Sequence, residues 1–400
     1  VLRQPVLRRI LPAMAVSALG DGMSLVAVAW LPVQIAPAGQ AGVWTGLAVA
    51  AYALPSTVGA ALLGRWVRRF SGARLVVVDS ALRAVALGTV AVLAISGALS
   101  PTGYVLLLAG SSLLHAWGNA GAYTLVAEVL PDEDRVAGNA LVATFQQSAW
   151  IIGPALAGVL TAVSGPGWVI GVDAVSFAVL AATAARQANR VPPVPTEVDT
   201  AGGWRTVLGQ PQLVGLLAVT CVFFFLYGPV EVALPIHVAR ELHGSSGLLG
   251  AYWAVFSVGA VAGGLSANAL RHRPLWVIVV AIIVGWGAAL LPLGLSDTVT
   301  PGLIGFGLGG LIYGPFTAIC TSLFQRLSPA HLLSRVLATR TALTTPATAL
   351  GTLIGGPLTE AAGGQRTLLI SGLLTIVLGV LVAAAVGSVR LRAPISSRSE

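Results

Sequence analysis

Twelve stretches of about twenty mainly apolar residues follow one another along this chain, and that is about the length of helix that crosses the hydrocarbon of a bilayer. Their approximate spans are 10–36, 43–63, 75–99, 102–126, 136–163, 167–186, 212–238, 247–270, 275–295, 300–324, 336–360 and 367–389. Backbone exposed to lipid must satisfy its own N–H and C=O groups, so each stretch is predicted to be a helix. With 56% hydrophobic and 9% charged residues, the chain has too little polar surface to cover a soluble body of 400 residues. The predicted class is an all-α membrane protein with twelve transmembrane helices.

Charge then orients the helices. Every one of the 22 basic residues is Arg, and 18 of them fall in the termini and the even-numbered gaps between apolar stretches, from Arg8 and Arg9 through Arg65, Arg68, Arg69 and Arg135 to Arg335. The odd-numbered gaps hold Arg240 and Arg366 alone, while Arg83 and Arg340 lie inside stretches. Cytoplasmic loops carry the basic excess, so both termini are expected on the cytoplasmic side of a bacterial plasma membrane. A pI near 10.5 in a soluble protein would suggest nucleic acid. Here the charge sits in short loops, serves topology and lipid contact, and no nucleic-acid module is visible.

The longest hydrophilic segment, 188–211, contains Pro192, Pro193 and Pro195 and reads as a cytoplasmic linker between a six-helix bundle at 1–187 and a second at 212–400. Internal similarity supports the division. Arg135-Val136 recurs as Arg335-Val336, and Gly153-Pro154-Ala155-Leu156-Ala157-Gly158 aligns with the small-residue run 351–356. Repeated bundles around a central site are the usual construction of secondary transporters. Cys221 and Cys320 lie in apolar stretches and are read as packing residues, with neither a disulfide nor a metal indicated. The first stretch lacks a small-residue cleavage site and is read as a retained helix.

Four local patterns resemble the major facilitator superfamily, and within it the bacterial drug and metabolite exporters that include macrolide and siderophore exporters. They are Leu19-Gly20-Asp21-Gly22, then Glu128-Val129-Leu130-Pro131 continuing to Gly138-Asn139-Ala140-Leu141, then Asp173-Ala174-Val175-Ser176-Phe177, and finally Pro229-Val230-Glu231 with Leu234-Pro235. The resemblance implies two six-helix pseudo-repeat bundles, transport by alternating access and no enzymatic activity. The fifth stretch is similar to the superfamily's antiporter motif: Ala149, Gly153, Ala157 and Gly158 offer a small-residue flank, and Pro154 removes a backbone hydrogen bond. The segment from Gly64 to Arg74 resembles the superfamily's gating loop, with Arg65 and Arg69 as its cations, yet the acidic residue due near Val67 or Arg68 is missing. Asp79 and Arg83, four apart on one helix face, are the remaining charges that could take over its role.

An ionisable side chain within a span costs about 2.5–3.5 kcal/mol on insertion scales and is a functional candidate by default. Asp21 lies mid-span between Gly20 and Gly22, which admit a neighbouring backbone or water. With Arg permanently charged and no Lys in the chain, the proton carrier has to be a carboxylate or a His, and Asp21, His115 and Glu231 are the coupling candidates. Glu231 beyond the run Phe223-Phe224-Phe225 also suits a lipophilic cation. Substrate contacts are expected from Phe145, Trp150, Phe224, Glu231, Trp253, Tyr313 and Arg340. Gating or structural roles are expected from Arg65, Arg69, Asp79, Arg83, Arg135, Gly153, Pro154, Gly158, Asp173 and Arg335. Arg83 either snorkels to the cytoplasmic face or pairs with Asp79; Asp173 is read as organising a helix end; Trp30, Trp44, Trp168 and Trp204 are read as interfacial anchors.

These residues predict a monomeric, proton-coupled antiporter that exports hydrophobic or amphipathic small molecules, drugs and antibiotics among them, with sodium as the other candidate ion and no cofactor. The alternative is a dedicated exporter of one metabolite, such as a siderophore or a self-made antibiotic. A membrane enzyme or sensor lacks support, since the chain has no phosphate-cradling loop with Lys and no paired-His motif.

Overall fold

The computed structural model describes residues 4–67, 70–188, 206–270, 273–329 and 332–392. Arg69, Trp204 and residues 189–205 of the expected linker lie outside the described residues, as does the side chain of Arg65. Among those described, the chain is built of α-helices: α1 (Pro5–Ile35), α2 (Ala41–Val67), α3 (Gly72–Ile95), α4 (Pro101–Ser112), α5 (His115–Val129), α6 (Asp132–Ser164) and α7 (Pro166–Ala188). There follow α8 (Pro211–Ile236) with a π-helical turn at His237–Glu241, α9 (Ser246–Ser266), α10 (Leu275–Leu295), α11 (Val299–Tyr313), α12 (Phe316–Leu327), α13 (Leu333–Ala362) and α14 (Gly364–Arg392).

Ten of the described spans are long and apolar enough to cross a membrane by themselves. The other two of the twelve expected are the fourth, broken into α4 and α5, and the eleventh, α13, whose centre carries Arg340 and five threonines between 339 and 348. The tenth is also broken, into α11 and α12.

Both breaks have a packing cause. At the first, the Leu113 carbonyl presses on α2 where a Cβ at Gly59 would lie 1.9 Å away, and Trp117 donates its indole N–H to the Gly59 carbonyl at 2.9 Å. At the second, a Cβ at Gly314 would meet the Ala260 carbonyl of α9 at 2.2 Å. Each break thus falls where a glycine lets two backbones touch, in matching spans of the two sequence halves. The ends of α6 and α13 match as well, since Gly165 and Gly363 both turn the chain at φ 88°, a left-handed conformation that glycine adopts without strain.

The chain divides into two compact units: 1–198 with 228–254 and 349–364, and 199–227 with 255–348 and 365–400. In the first, α1 packs on α6 and α7, α3 on α5 and α7, and α2 on α4. Glycine again sets the approach. A Cβ at Gly22 of α1 would be 2.3 Å from the Ala149 carbonyl of α6, and one at Gly153 would be 2.5 Å from the Gly22 carbonyl carbon. Gly158, on the next face of α6, meets Gly250 of α9 instead, at 2.2 Å. The small residues of the fifth span therefore serve two partners. In the second unit α10 packs on α11 and α12, and Gly259 and Gly263 of α9 admit the backbone of α11. Trp30, expected at an interface, is buried within the first unit.

Candidate functional site

The first unit holds a charge cluster built from α1, α2, α3 and α7, buried at Arg83 and Asp173 and half-buried at Asp21 and Tyr52. Asp21 on α1 receives Arg83 Nη1 from α3 at 3.0 Å and the hydroxyl of Tyr52 from α2. The Arg83 guanidinium lies between two rings, 5.3 Å from the Tyr52 centroid and 4.6 Å from that of Phe177. Such faces attract a cation, which adds to the single ion pair in offsetting the cost of taking Arg83 out of water. Arg83 is 1% exposed, so it does not snorkel, and it reaches across to α1 rather than along its own helix to Asp79. That is the correction to its expected pairing: the opposite charge on a neighbouring helix is better placed than the one a turn away.

Asp173 is buried within α7 rather than ordering a helix end. It accepts from Ser24 Oγ at 2.5 Å and from Ser176 Oγ at 3.3 Å, and a Cβ at Gly20 would lie 2.4 Å from its Oδ1. Gly20 and Gly22 therefore give Asp21 two close neighbours, a carboxylate on one flank and a backbone on the other.

Beside the ion pair is a cavity of about 100 Å³ whose walls include Asp21, Asp79, Arg83, His115, Phe145 and Gln146. Four polar atoms of its lining residues are buried with no hydrogen-bond partner: Ser17 Oγ, Asp79 Oδ1, Arg83 Nε and His115 Nδ1. Buried polar groups are nearly always paired, with protein or with water. Unpaired ones around a polar cavity mark a place for water, a proton path or a polar group of a ligand. The break between α4 and α5 contributes here, since it makes His115 the first residue of α5 rather than a mid-helix position.

The second unit carries the aromatic counterpart. Phe223, Phe224 and Tyr227 from α8, Phe256 from α9, Trp286 from α10, Phe306 and Tyr313 from α11 and Phe316 from α12 form one continuous cluster, with Phe223 and Phe316 centroids 4.6 Å apart. Phe223, Phe306, Phe316 and Trp286 are its buried core; Phe224, Tyr227, Phe256 and Tyr313 are half-buried and form its rim. Arg340 of α13 donates to Thr321 Oγ1 at 3.3 Å and lies 5.5 Å from the Phe324 ring.

The structure brings Asp21, Asp79, Arg83, His115 and Phe145, which the sequence assigned to separate coupling, gating and substrate roles, to one cavity, and places Phe224 and Tyr313 in the aromatic cluster. Trp150, expected among the substrate contacts, is 59% exposed and absent from the cavity wall. Glu231 and Trp253 are half-buried on α8 and α9, within the first unit. Arg135, in the first turn of α6, pairs with Asp132 and donates to the Leu130 carbonyl just before that helix, and the Arg335 carbonyl accepts from Thr339. Tyr52, Ser24 and Trp286 were missed. Ser24, three residues after Asp21 on the same helix, was the readable signal. Glu128 was read only as part of a pattern, yet its carboxylate accepts from Gly72 N–H at 3.0 Å and so holds the first turn of α3, directly after the loop that lacks its acidic residue.

Comparison with known proteins agrees with this architecture. The model of the Major Facilitator Superfamily matches residues 10–342. The multidrug efflux pump Tap of Mycobacterium tuberculosis is 30% identical over 394 residues, covering 93% of this chain and 91% of that protein. The pump of the same name from Mycolicibacterium fortuitum is 27% identical over 395 residues, with 95% of each covered. Among solved structures, a bacterial homologue of the human lysosomal transporter Spinster, in an inward-facing and unoccupied conformation, superposes with TM-score 0.70 at 13% identity over 95% of this chain and 96% of that one. The nucleoside transporter NupG gives the same TM-score at 15% identity, covering 95% and 98%. The chain is a multi-pass membrane protein and belongs to the Major Facilitator Superfamily.

Proposed function

We propose that this chain is a secondary active exporter of hydrophobic or amphipathic small molecules, drugs included, that exchanges them for protons by alternating access of two six-helix halves. The relatives named as multidrug efflux pumps support the substrate class. The observation that carries the coupling is the pair between the buried Arg83 and the half-buried Asp21, beside a cavity with unpaired polar atoms.

A proton arriving on Asp21 removes the charge that holds Arg83. Arg83 keeps its own charge and needs another anion. Asp79, one turn earlier on the same face of α3 and with a free Oδ1, is placed to receive it. Moving one guanidinium between α1 and α3 changes how those helices hold each other, which links proton uptake to a change of state. His115 supplies a second proton-accepting atom at the cavity wall. The half-buried rim of aromatic rings in the second unit supplies faces for lipophilic and cationic substrates.

In this reading both termini are cytoplasmic, the protein acts as a monomer in the bacterial plasma membrane, and it is not an enzyme. The test is dye retention in cells lacking their own efflux pumps. Cells expressing the chain should retain less of a lipophilic cationic dye than cells expressing Asp21→Asn, and equal retention would contradict the proposal. A gradient of sodium substituted for protons separates the two coupling ions.

A further inference from the structure

We infer that Glu360 is a latch that holds one end of the transporter shut, and that this end opens only when the carboxylate lets go of two partners at once. Its Oε2 accepts the backbone N–H of Gly42 at 2.8 Å, in the first turn of α2, and its Oε1 accepts Arg240 Nη1 at 2.9 Å, from the π-helical turn after α8. Gly42 belongs to the first six spans, Glu360 and Arg240 to the last six, and all three lie in the first compact unit at the end of α1 remote from Pro5. Side-chain exposures of 18% for Glu360 and 40% for Arg240 put the lock at the rim.

The position makes little sense for its own helix. Glu360 lies in the last turn of α13, where the helix dipole opposes a negative charge, whereas the first turn of α2 attracts one. The carboxylate therefore serves the contact and not the helix that carries it. π-helical turns are rare and concentrate at functional positions, and the one at His237–Glu241, tied by the His237–Glu241 pair, is what presents Arg240.

Below the lock the two helices meet with almost no side chain between them. A Cβ at Gly42 would be 2.9 Å from the Gly356 carbonyl, and one at Gly46 would be 2.7 Å from the Thr352 carbonyl. Gly158 of α6 and Gly250 of α9 make the same kind of contact nearby in sequence to the same end. Thr45, Thr161 and Thr359, one on α2, one on α6 and one on α13, are buried with their Oγ1 atoms unpaired. A buried hydroxyl without a partner is destabilising, and one on each of the helices that meet backbone to backbone at this end, α2, α13 and α6, fits surfaces that are dry in this state and wet in another. The contact is built to part.

The inference rests on alternating access, but its test uses neither substrate nor proton gradient, so either can fail alone. In a chain with Cys221→Ala and Cys320→Ala, Thr45→Cys reports opening through its rate of reaction with a membrane-impermeant maleimide, in intact cells and in everted vesicles. Glu360→Ala should raise that rate about tenfold, the effect of about 1.4 kcal/mol on a two-state equilibrium. Arg240→Gln, which leaves the Gly42 bond, should raise it less, and carries the same test should Glu360→Ala not accumulate. Asn119→Cys at the cavity wall separates a latch from a loosened fold: a shift of state slows its labelling, whereas loosening speeds both sites. An unchanged Thr45→Cys rate in both variants, or faster labelling at both sites, overturns the latch. The preparation that shows the increase tells which side of the membrane this end faces.

Discussion

Asp21→Asn isolates the ion pair at the centre of the site. Asparagine keeps the size of the side chain and an acceptor for Tyr52, and removes only the charge facing a guanidinium that is 1% exposed. Breaking a buried pair by deleting one partner costs about 3–5 kcal/mol, because the other charge is stranded. The Tyr52 and Phe177 faces at 5.3 and 4.6 Å are unchanged by the substitution, but the Asp21 side chain is 30% exposed, so water screens part of the pair and the loss is about 2–4 kcal/mol. Unfolding entropy of about 2.1 cal/mol/K per residue, over 400 residues, makes this about 2–5 °C in the melting temperature of the detergent-purified protein. Arg83→Met in the same chain removes the stranded charge, so the double variant should melt within about 1 °C of the parent, as apolar replacement of buried pairs does elsewhere. A single variant that melts with the parent, or a double variant that loses the sum of both, would refute the assignment of Arg83 to Asp21.

Gly118→Ala should destabilise the protein by more than an ordinary surface change, since its Cβ would lie 2.0 Å from Asp79 Oδ2 and 2.6 Å from Asp79 Cβ, and Asp79→Ala in the same chain, which removes the carboxylate but not the Cβ, should restore part of the melting temperature. An equally low melting temperature in the double variant would show that the contact is not the cause. Phe224→Ala, on the half-buried rim of the aromatic cluster, should weaken binding of a lipophilic cation about three- to thirtyfold, as loss of about 0.5–2 kcal/mol of cation-π attraction requires, with little effect on a neutral ligand of the same size. Fluorescence titration of the purified protein measures both, and an equal loss for the two ligands would remove the cation from the argument.

The helices were legible because hydropathy and length act locally: ten spans keep the character their residues announce. The two breaks were less so. Pro315 follows Gly314 and could have marked the tenth, but the fourth breaks at Leu113-Leu114, where no residue disfavours helix and the cause is a glycine on α2 more than fifty positions earlier. The site shows the same division. Asp21, Asp79, Arg83 and His115 each stood out as ionisable groups in apolar sequence, while their pairing depends on which helices touch. Periodicity placed Asp79 on the same face as Arg83, and that is true; it could not place Asp21 3.0 Å from the guanidinium. Glu360 escaped notice because it lies at a span's end, where a charge is ordinary. Its meaning comes from Gly42, 318 residues away.

The most direct test of proton-coupled export is uptake of a lipophilic fluorescent dye into everted membrane vesicles under an imposed pH gradient, acid inside. Dye should accumulate while the gradient lasts, leak back when a protonophore collapses it, and fail to accumulate with Asp21→Asn at equal protein in the membrane. Accumulation that ignores the gradient, or that proceeds unchanged in Asp21→Asn, would contradict the account.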